Sequence, residues 1–205
     1  LALAPLAGEL GGRLAILGTP AEEGGGGKVF MIERGAFDGV DASMMVHPAG
    51  AELRFMHTLA IHQLLADYQG KAAHAAAAPW YGRNALDAAV AGYTNVSALR
   101  QHIRPDERIH GIFTEAGEAP NVVPARTAAT WYVRSPTVRG LHKLKARVLA
   151  CLQAGADAAG CTMEHVWLDP AYADMVDNEP IIDLYRGNIE RTGRTLIDPE
   201  SLDAI

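Results

Sequence analysis

The sequence has few cysteines and no long apolar run, and each shortage excludes a class of protein. Cys151 and Cys161 are its two cysteines, and because they lack CxxC spacing they suggest neither a disulfide framework nor a zinc knuckle. Cys151 falls on the apolar side of a predicted helix, which favours a small buried residue. No apolar stretch approaches the roughly 20 residues that a membrane-spanning helix needs, so no membrane partner is expected.

An excess of basic charge is also missing. Lys and Arg total 18 against 24 Asp and Glu, for a net charge of -6, and the basic residues are dispersed, so no nucleic-acid partner is expected. No signal peptide is visible, because the start has no basic region, but the start of the sequence does not decide the location. The expected location is cytoplasmic. The 205 residues, 49% of them hydrophobic, are typical of one large or two small globular domains.

Two adjacent carboxylates stand out in the stretch GTPAEEGGGGK, from Gly18 to Lys28. Thr19, Pro20 and Glu22 fit the start of a helix, but the glycines that follow would each cost about 1 kcal/mol relative to alanine. Alternatively, the carboxylates face a positive charge and the glycines let backbone come close. The stretch by itself leaves both alternatives open.

Residues 1–54 and the remainder differ in pattern. Short apolar runs at Arg13–Gly18 and Ala42–Val46 predict strands, and a helix is expected from Lys28 to Arg34, which indicates an α/β layer. A polar C-terminal region contains one more predicted helix, at about Pro180–Thr192.

Between these regions the predicted order is β-α-β-β-α-β. Apolar residues recur every three or four positions over Asn84–Ile103 and Leu141–Ala159, which predicts two amphipathic helices. The predicted strands are an extended stretch within Arg54–Gln69, then Arg108–Glu115, Thr127–Arg134 and Thr162–Leu168. This order is typical of a ferredoxin-like α+β domain, an antiparallel four-stranded sheet with two helices on one face.

Several phrases together resemble the metal-dependent amidohydrolases and exopeptidases of peptidase family M20, in the branch with aminobenzoyl-glutamate hydrolase-like and dipeptidase-like members. The phrases are GTPAEE, MMVHPAG, GKAAHAA, NVVP and WYVR. The resemblance implies α/β catalytic-domain segments at residues 1–54 and 169–205, flanking a ferredoxin-like lid at residues 55–168 through which two copies dimerise. It implies metal-dependent hydrolysis of an amide or dipeptide substrate next to a free carboxylate.

The resemblance also assigns catalytic and metal-binding roles. Glu22 matches the general base, and Glu23 and His47 match ligands of a divalent metal, with zinc expected and manganese or cobalt as alternatives. A neighbouring carboxylate that is not a ligand can move the proton of a metal-bound water.

Three lid residues complete the implied site. His74 in GKAAHAA matches a histidine that helps polarise the scissile carbonyl, typically from the partner subunit. Asn121 in NVVP and Arg134 in WYVR match residues that hold the substrate's carboxylate. The other histidines are expected to be surface or satisfied side chains. Trp80 and Tyr81 are expected to pack within the lid, with a position at the border of the pocket as the alternative. The remaining histidines are His57, His62, His102, His110, His142 and His165.

The sequence departs from the family at the metal site. The family's upstream ligands and its last histidine are missing from the chain, so Glu23 and His47 are two ligands where a catalytic site usually has three plus water. We therefore expect the chain by itself to be inactive. The alternatives are an aminoacylase-like hydrolase of N-acyl amino acids, a non-catalytic dimerisation module and, less favoured, a family member that has lost catalysis.

Overall fold

The computed structural model describes residues 3–194 and 196–197. These residues fall into two compact units, the first ending at Ala42 and the second beginning at Ser43. Within the described ranges, no helix is both long and apolar enough to cross a membrane.

The first unit contains two short helices joined by irregular chain, α1 at Ala4–Glu9 and α2 at Gly27–Glu33. Helix α2 confirms the helix predicted from Lys28, and just beyond its end Gly35 takes a positive φ of 76°. The strand predicted at Arg13–Gly18 is wrong, because this run pairs with no strand in the described part of the chain and Ile16 is 83% exposed. An apolar run becomes a strand only where a neighbour pairs with its backbone.

The strand predicted at Ala42–Val46 is also wrong. Residues 42–46 are irregular, and the side chains of Met44, Met45 and Val46 are all more than half exposed. Apolar composition does not produce a strand here, because no described strand forms backbone hydrogen bonds with this segment. The α/β layer expected for residues 1–54 stays a prediction.

The second unit is a mixed α/β domain built on a four-stranded antiparallel sheet. Its strands are β1 Ala60–Gln69, β2 Arg108–Glu115, β3 Arg126–Ser135 and β4 Thr162–Tyr172. Their order in space is β2-β3-β1-β4, and every neighbouring pair is antiparallel. The central strands β1 and β3 pair along their full length, from Ala60 opposite Ser135 to Gln69 opposite Arg126. The four strands predicted in this region are confirmed.

One face of the sheet packs against the core of the domain. Alternate residues of β1 and β3 are buried, including the large side chains of Leu64, Tyr68 and Trp131, as expected when successive side chains point to opposite faces. The other face is more exposed and presents Ile112 and Val166, which are 69% and 57% exposed.

Two helices cover the buried face, α3 at Ala85–Leu99 and α4 at Val138–Ala158, and both contact β1 and β3. The side-chain oxygen of Asn84 caps α3 by accepting hydrogen bonds from the backbone N–H groups of Leu86 and Asp87, at 2.9 and 3.2 Å. Both amphipathic helices predicted from the sequence are confirmed. Cys151, expected to be buried, is partly buried against the core.

Helices α3 and α4 approach each other closely at two glycines. A Cβ on Gly155 of α4 would lie 2.4 Å from the backbone oxygen of Ala88 and 2.4 Å from the backbone nitrogen of Gly92, both on α3. Gly92 is also confined, since a Cβ there would lie 2.8 Å from the Tyr68 hydroxyl and 3.3 Å from the Leu152 Cα of α4. Gly155, which weakens the helix by propensity, is therefore needed for packing.

After β4 the chain forms α5, Glu179–Arg191, confirming the last predicted helix. The segment before the sheet meets this C-terminal segment: Arg54 forms an ion pair of 2.6 Å with Glu179, and Leu53 bridges in parallel to Ile197. The chain thus enters and leaves the sheet domain at neighbouring positions. The domain boundaries predicted at residues 54 and 168 stay predictions.

Candidate functional site

Glu22 and Glu23 lie in a tight turn of the first unit and are exposed. The backbone N–H of Gly25 donates to the carbonyl of Ala21 at 3.0 Å, and Ala21 has a positive φ of 55°. A Cβ on Gly27 would lie 2.0 Å from the carbonyl oxygen of Pro20, so the glycine run lets the chain fold back on itself. The alternative of a helix that starts at Thr19 is wrong, because α2 begins only at Gly27.

His47 belongs to the second unit, where it is exposed in irregular chain. Its Nδ1 lies 2.8 Å from the carbonyl oxygen of Pro48. A carbonyl can only accept, so Nδ1 carries the proton and the lone pair of Nε2 is left for another partner. Metal-binding histidines commonly use the second ring nitrogen in this way.

The described residues do not by themselves complete a metal centre. Glu23 and His47 are donor types that zinc accepts. However, no group of three or more His, Cys, Asp or Glu that could hold a metal ion occurs within residues 3–194 and 196–197. Their assignment as ligands stays a prediction.

The His74 segment and the Asn121 segment lie side by side. His74 forms an antiparallel bridge with Val122. On either side of it, Ala75 N–H donates to the Asn121 carbonyl at 3.0 Å and Val123 N–H donates to the Ala73 carbonyl at 3.0 Å. Two phrases far apart in sequence, GKAAHAA and NVVP, therefore form one local structure beyond the end of β1.

The His74 ring is held in one tautomer by its own loop. Its Nδ1 accepts hydrogen bonds from the backbone N–H groups of Ala76 and Ala77, at 3.3 and 3.2 Å. A ring nitrogen that accepts carries no proton, so in the neutral ring the proton is on Nε2. Because His74 is exposed, that N–H can donate to a group outside the loop.

Arg134 lies on the sheet face opposite the helices. Its Nε is buried and has no hydrogen-bond partner in the described part of the chain, while its guanidinium carbon lies 5.8 Å from the centre of the Tyr132 ring. Arg108 lies directly across from it on β2. Burial first, and then Arg134 and Arg100, lower the pKa of nearby His110. This surface is electropositive, and a carboxylate would complement it.

The structure groups Asn121 with His74 and places Arg134 far from both. Arg126 pairs with Gln69 near the His74 loop, and Arg134 comes eight residues later on the same strand. At about 3.3 Å per residue, this separation is about 26 Å. Within one chain, Asn121 and Arg134 therefore do not meet around one small carboxylate, and the roles assigned to these residues stay predictions.

Two expectations about other side chains are wrong. Trp80 and Tyr81, expected to pack within the lid, are 73% and 66% exposed in a 3₁₀ turn that follows the His74 loop. Their flanking turn formers, Pro79 and Gly82, were the sequence signal for this exposure. His62, expected to be a surface or satisfied histidine, is buried against Lys145 of α4, and its Nε2 has no hydrogen-bond partner among the described residues.

Comparison with known proteins identifies the family. Residues 61–159 match the peptidase dimerisation domain of the M20 family. The chain is 39% identical over 190 residues to Xaa-Arg dipeptidase of Mus musculus, covering 93% of this chain and 44% of that protein. It is 38% identical over 156 residues to one of the p-aminobenzoyl-glutamate hydrolase subunits of Escherichia coli (strain K12), covering 75% of this chain and 32% of that protein.

A solved structure shares the fold. The aminobenzoyl-glutamate utilization protein from Klebsiella pneumoniae superposes with a TM-score of 0.63 at 23% identity, covering 82% of this chain and 44% of that chain. The chain belongs to the M20 peptidase family, and the part that matches the family's dimerisation domain contains β1, α3, β2, β3 and α4. The predicted resemblance is confirmed. The chain spans less than half the length of these relatives.

Proposed function

We propose that the protein containing this chain hydrolyses the amide bond between an acyl or aminoacyl group and an amino acid with a free carboxylate. The names of its relatives support this substrate class, since an Xaa-Arg dipeptide and p-aminobenzoyl-glutamate are both amides of an amino acid whose own carboxylate is free. The observation that carries the proposal is Arg134, whose buried Nε lacks a partner in the described ranges. A carboxylate can accept two parallel hydrogen bonds from a guanidinium.

His74 supplies the second element of this function. Its Nε2–H is available because the loop occupies Nδ1. A donor of this kind stabilises the oxyanion that forms when water attacks the scissile carbonyl, and losing such a donor typically costs about 2.7–4 kcal/mol in the barrier.

Glu22 is proposed to accept the proton of the attacking water and pass it to the leaving amine. Glu23 and His47 are proposed as two ligands of a divalent metal (zinc, or manganese or cobalt), and the Nδ1–H bond of His47 supports this role. Because the described residues contain no three-ligand group, we expect this chain by itself to be inactive.

We infer that the second unit has the ferredoxin-like arrangement of a lid inserted into a catalytic domain. The element order β-α-β-β-α-β and the spatial order β2-β3-β1-β4 support the arrangement. The meeting of Arg54 with Glu179 supports the insertion, because a lid must begin and end at neighbouring points of its host domain.

The active form is proposed to be a homodimer through this domain. A dipeptide-sized substrate extends about 7 Å, far less than the separation of about 26 Å between the Arg134 end of β3 and the end near the His74 loop. One chain cannot apply both residues to one substrate, but His74 of one copy can meet Arg134 of another. The family's dimerisation domain supports this assembly.

Mixed dimers test the proposed function and the assembly together. We expect the homodimers with His74→Ala or Arg134→Ala to lose most activity. A purified heterodimer with one change on each subunit should recover about half of wild-type activity, since one of its two sites receives both intact residues in a two-fold symmetric dimer. An inactive heterodimer would show that both residues act within one chain.

A substrate panel tests the carboxylate. Arg134→Lys should raise KM for an Xaa-Arg dipeptide and for p-aminobenzoyl-glutamate, because lysine cannot form the bidentate contact. The matched control is Arg126→Lys, on the same strand, where the arginine is already paired with Asp67 and Glu115. For substrates whose carboxylate is amidated, the KM values of the two variants should no longer differ. Equal KM values for Arg134→Lys and wild type would refute the assignment.

The same panel separates the alternatives. Preference for N-acetyl amino acids over dipeptides would indicate the aminoacylase-like hydrolase. A dimeric protein that cleaves none of these amides would indicate the dimerisation module without catalysis.

A further inference from the structure

A second cluster of reactive side chains lies on the helix-covered side of the sheet, at the β4 edge. It contains His62 of β1, Lys145 of α4, and Trp167 and Asp169 of β4. The lysine nitrogen Nζ lies 2.7 Å from His62 Nδ1 and 4.1 Å from the centre of the Trp167 ring. The other imidazole nitrogen, Nε2, lies 3.7 Å from Asp169 Oδ1.

As in an activated nucleophile, the Lys145 amine lies within hydrogen-bond reach of a base, His62. The Asp169 carboxylate lies near the other imidazole nitrogen without a hydrogen bond to it. His62 is buried, with 7% of its side chain exposed, whereas 84% of the Asp169 side chain is exposed. Lys145 is partly exposed, so a small reagent can reach its amine.

Burial is the main cause that lowers the pKa of both basic side chains in the cluster. Burial lowers the pKa of Lys145, while the charge of Asp169 opposes this. Burial and the positive charge of Lys145 lower the pKa of His62, and His142 adds to this effect, whereas Asp169 and the backbone of Leu168 oppose it. Lys145 and His142 of α4 and Asp169 of β4 are the charged and titratable side chains near the imidazole. At neutral pH His62 is therefore neutral and can accept a proton.

We propose that Lys145 is an acylation site, at which the amine attacks acyl thioesters with His62 as the base. The site is separate from the hydrolase residues and does not depend on their proposed roles.

The reaction balances without a further reagent. The unprotonated Nζ forms a bond to the thioester carbonyl carbon, and the carbonyl electron pair moves to oxygen. His62 Nδ1 takes the proton from the attached nitrogen, the oxyanion re-forms the carbonyl, and the carbon–sulfur bond breaks. The departing thiolate takes the proton from His62, so the products are an Nε-acyl-lysine and a thiol. Acylation removes the positive charge that faces Trp167.

Lys143 is a matched control, because it is exposed on the same helix two residues earlier. The full-length protein is treated at pH 7 with a limiting amount of S-acetyl-N-acetylcysteamine, a small acyl thioester. It is then unfolded and fully acetylated with an isotopically heavy reagent. Digestion after arginine yields residues 140–147, in which fragment ions separate the label on the two lysines.

We expect Lys145 to react severalfold faster than Lys143, because burial lowers the pKa of the Lys145 amine and His62 accepts the proton of the attached nitrogen. His62→Gln should lower this ratio, because the base is lost while the burial of Lys145 remains, and it should leave the rate of Lys143 unchanged. Equal rates in the wild type, or an unchanged ratio in a folded His62→Gln protein, would overturn the proposal.

A wild-type measurement decides the outcome if His62→Gln does not fold. The rate of Lys145 acetylation should reach half of its plateau at a lower pH than that of Lys143. Coincident pH profiles would overturn the proposal. Because this readout is chemical labelling, a protein that fails to hydrolyse amides can still confirm it.

Discussion

Replacing Gly155 by alanine tests whether α3 and α4 pack through direct backbone contact. The new Cβ would lie 2.4 Å from backbone atoms of both Ala88 and Gly92, and neither atom can move without shifting α3. Helix propensity acts in the opposite direction, since alanine is more favourable than glycine by about 1 kcal/mol in a helix interior. The outcome depends on which effect is larger.

The steric term should be larger. Overpacking a well-packed interior costs typically about 1–3 kcal/mol, and here the contact involves rigid backbone rather than a flexible side chain. The rigid contact places the cost in the upper part of this range, at about 2–3 kcal/mol. After the propensity gain of about 1 kcal/mol is subtracted, we expect Gly155→Ala to lower the free energy of unfolding by about 1–2 kcal/mol. For a domain of this size that corresponds to a fall of about 3–6 °C in Tm.

Denaturant unfolding followed by circular dichroism measures this change. The matched control is Gly187→Ala in α5, where a Cβ would meet nothing within 4 Å. There the propensity term acts without opposition, and stability should rise by up to about 1 kcal/mol. If Gly155→Ala stabilised the protein as much as the control does, α3 and α4 would not be in backbone contact at this position.

Three further changes have defined outcomes. Asn84→Ala should cost about 1 kcal/mol of stability in the same unfolding assay, because α3 loses its N-cap; an unchanged midpoint would contradict this role. Glu22→Gln in the complete enzyme should lower kcat about 10²–10⁴-fold with little change in KM, whereas Glu33→Gln should change neither; persistent turnover would exclude Glu22 as the base. Burial lowers the folded-state pKa of His62 below 6.5, so the unfolded chain binds the proton more readily and stability falls as pH drops below 6.5. Unfolding measured between pH 7 and 5 should show a smaller fall for His62→Gln, and equal slopes would refute the linkage.

Side chains and backbones that meet across long sequence separations were not predictable from local pattern. Lys145 and His62 are 83 residues apart, and no spacing rule connects an alternating strand to a helix face. The bridge between His74 and Val122, which brings Asn121 beside the His74 loop, was unpredictable for the same reason. The motifs indicated which residue types carry chemistry, but the sheet register decided that Asn121 lies beside His74 and that Arg134 lies at the other end of β3.

By itself, the sequence determined the regular elements of the dimerisation domain. Apolar residues at helical spacing specify α3 and α4, and alternation specifies β3, because these periodicities decide which side chains a single element can bury. The same local signal failed at Arg13–Gly18 and Ala42–Val46, since a strand also needs a partner for its backbone hydrogen bonds. Only the tertiary structure decided where Gly155 permits two helices to touch and which partly buried amine lies beside an imidazole, because both depend on contacts between distant parts of the chain.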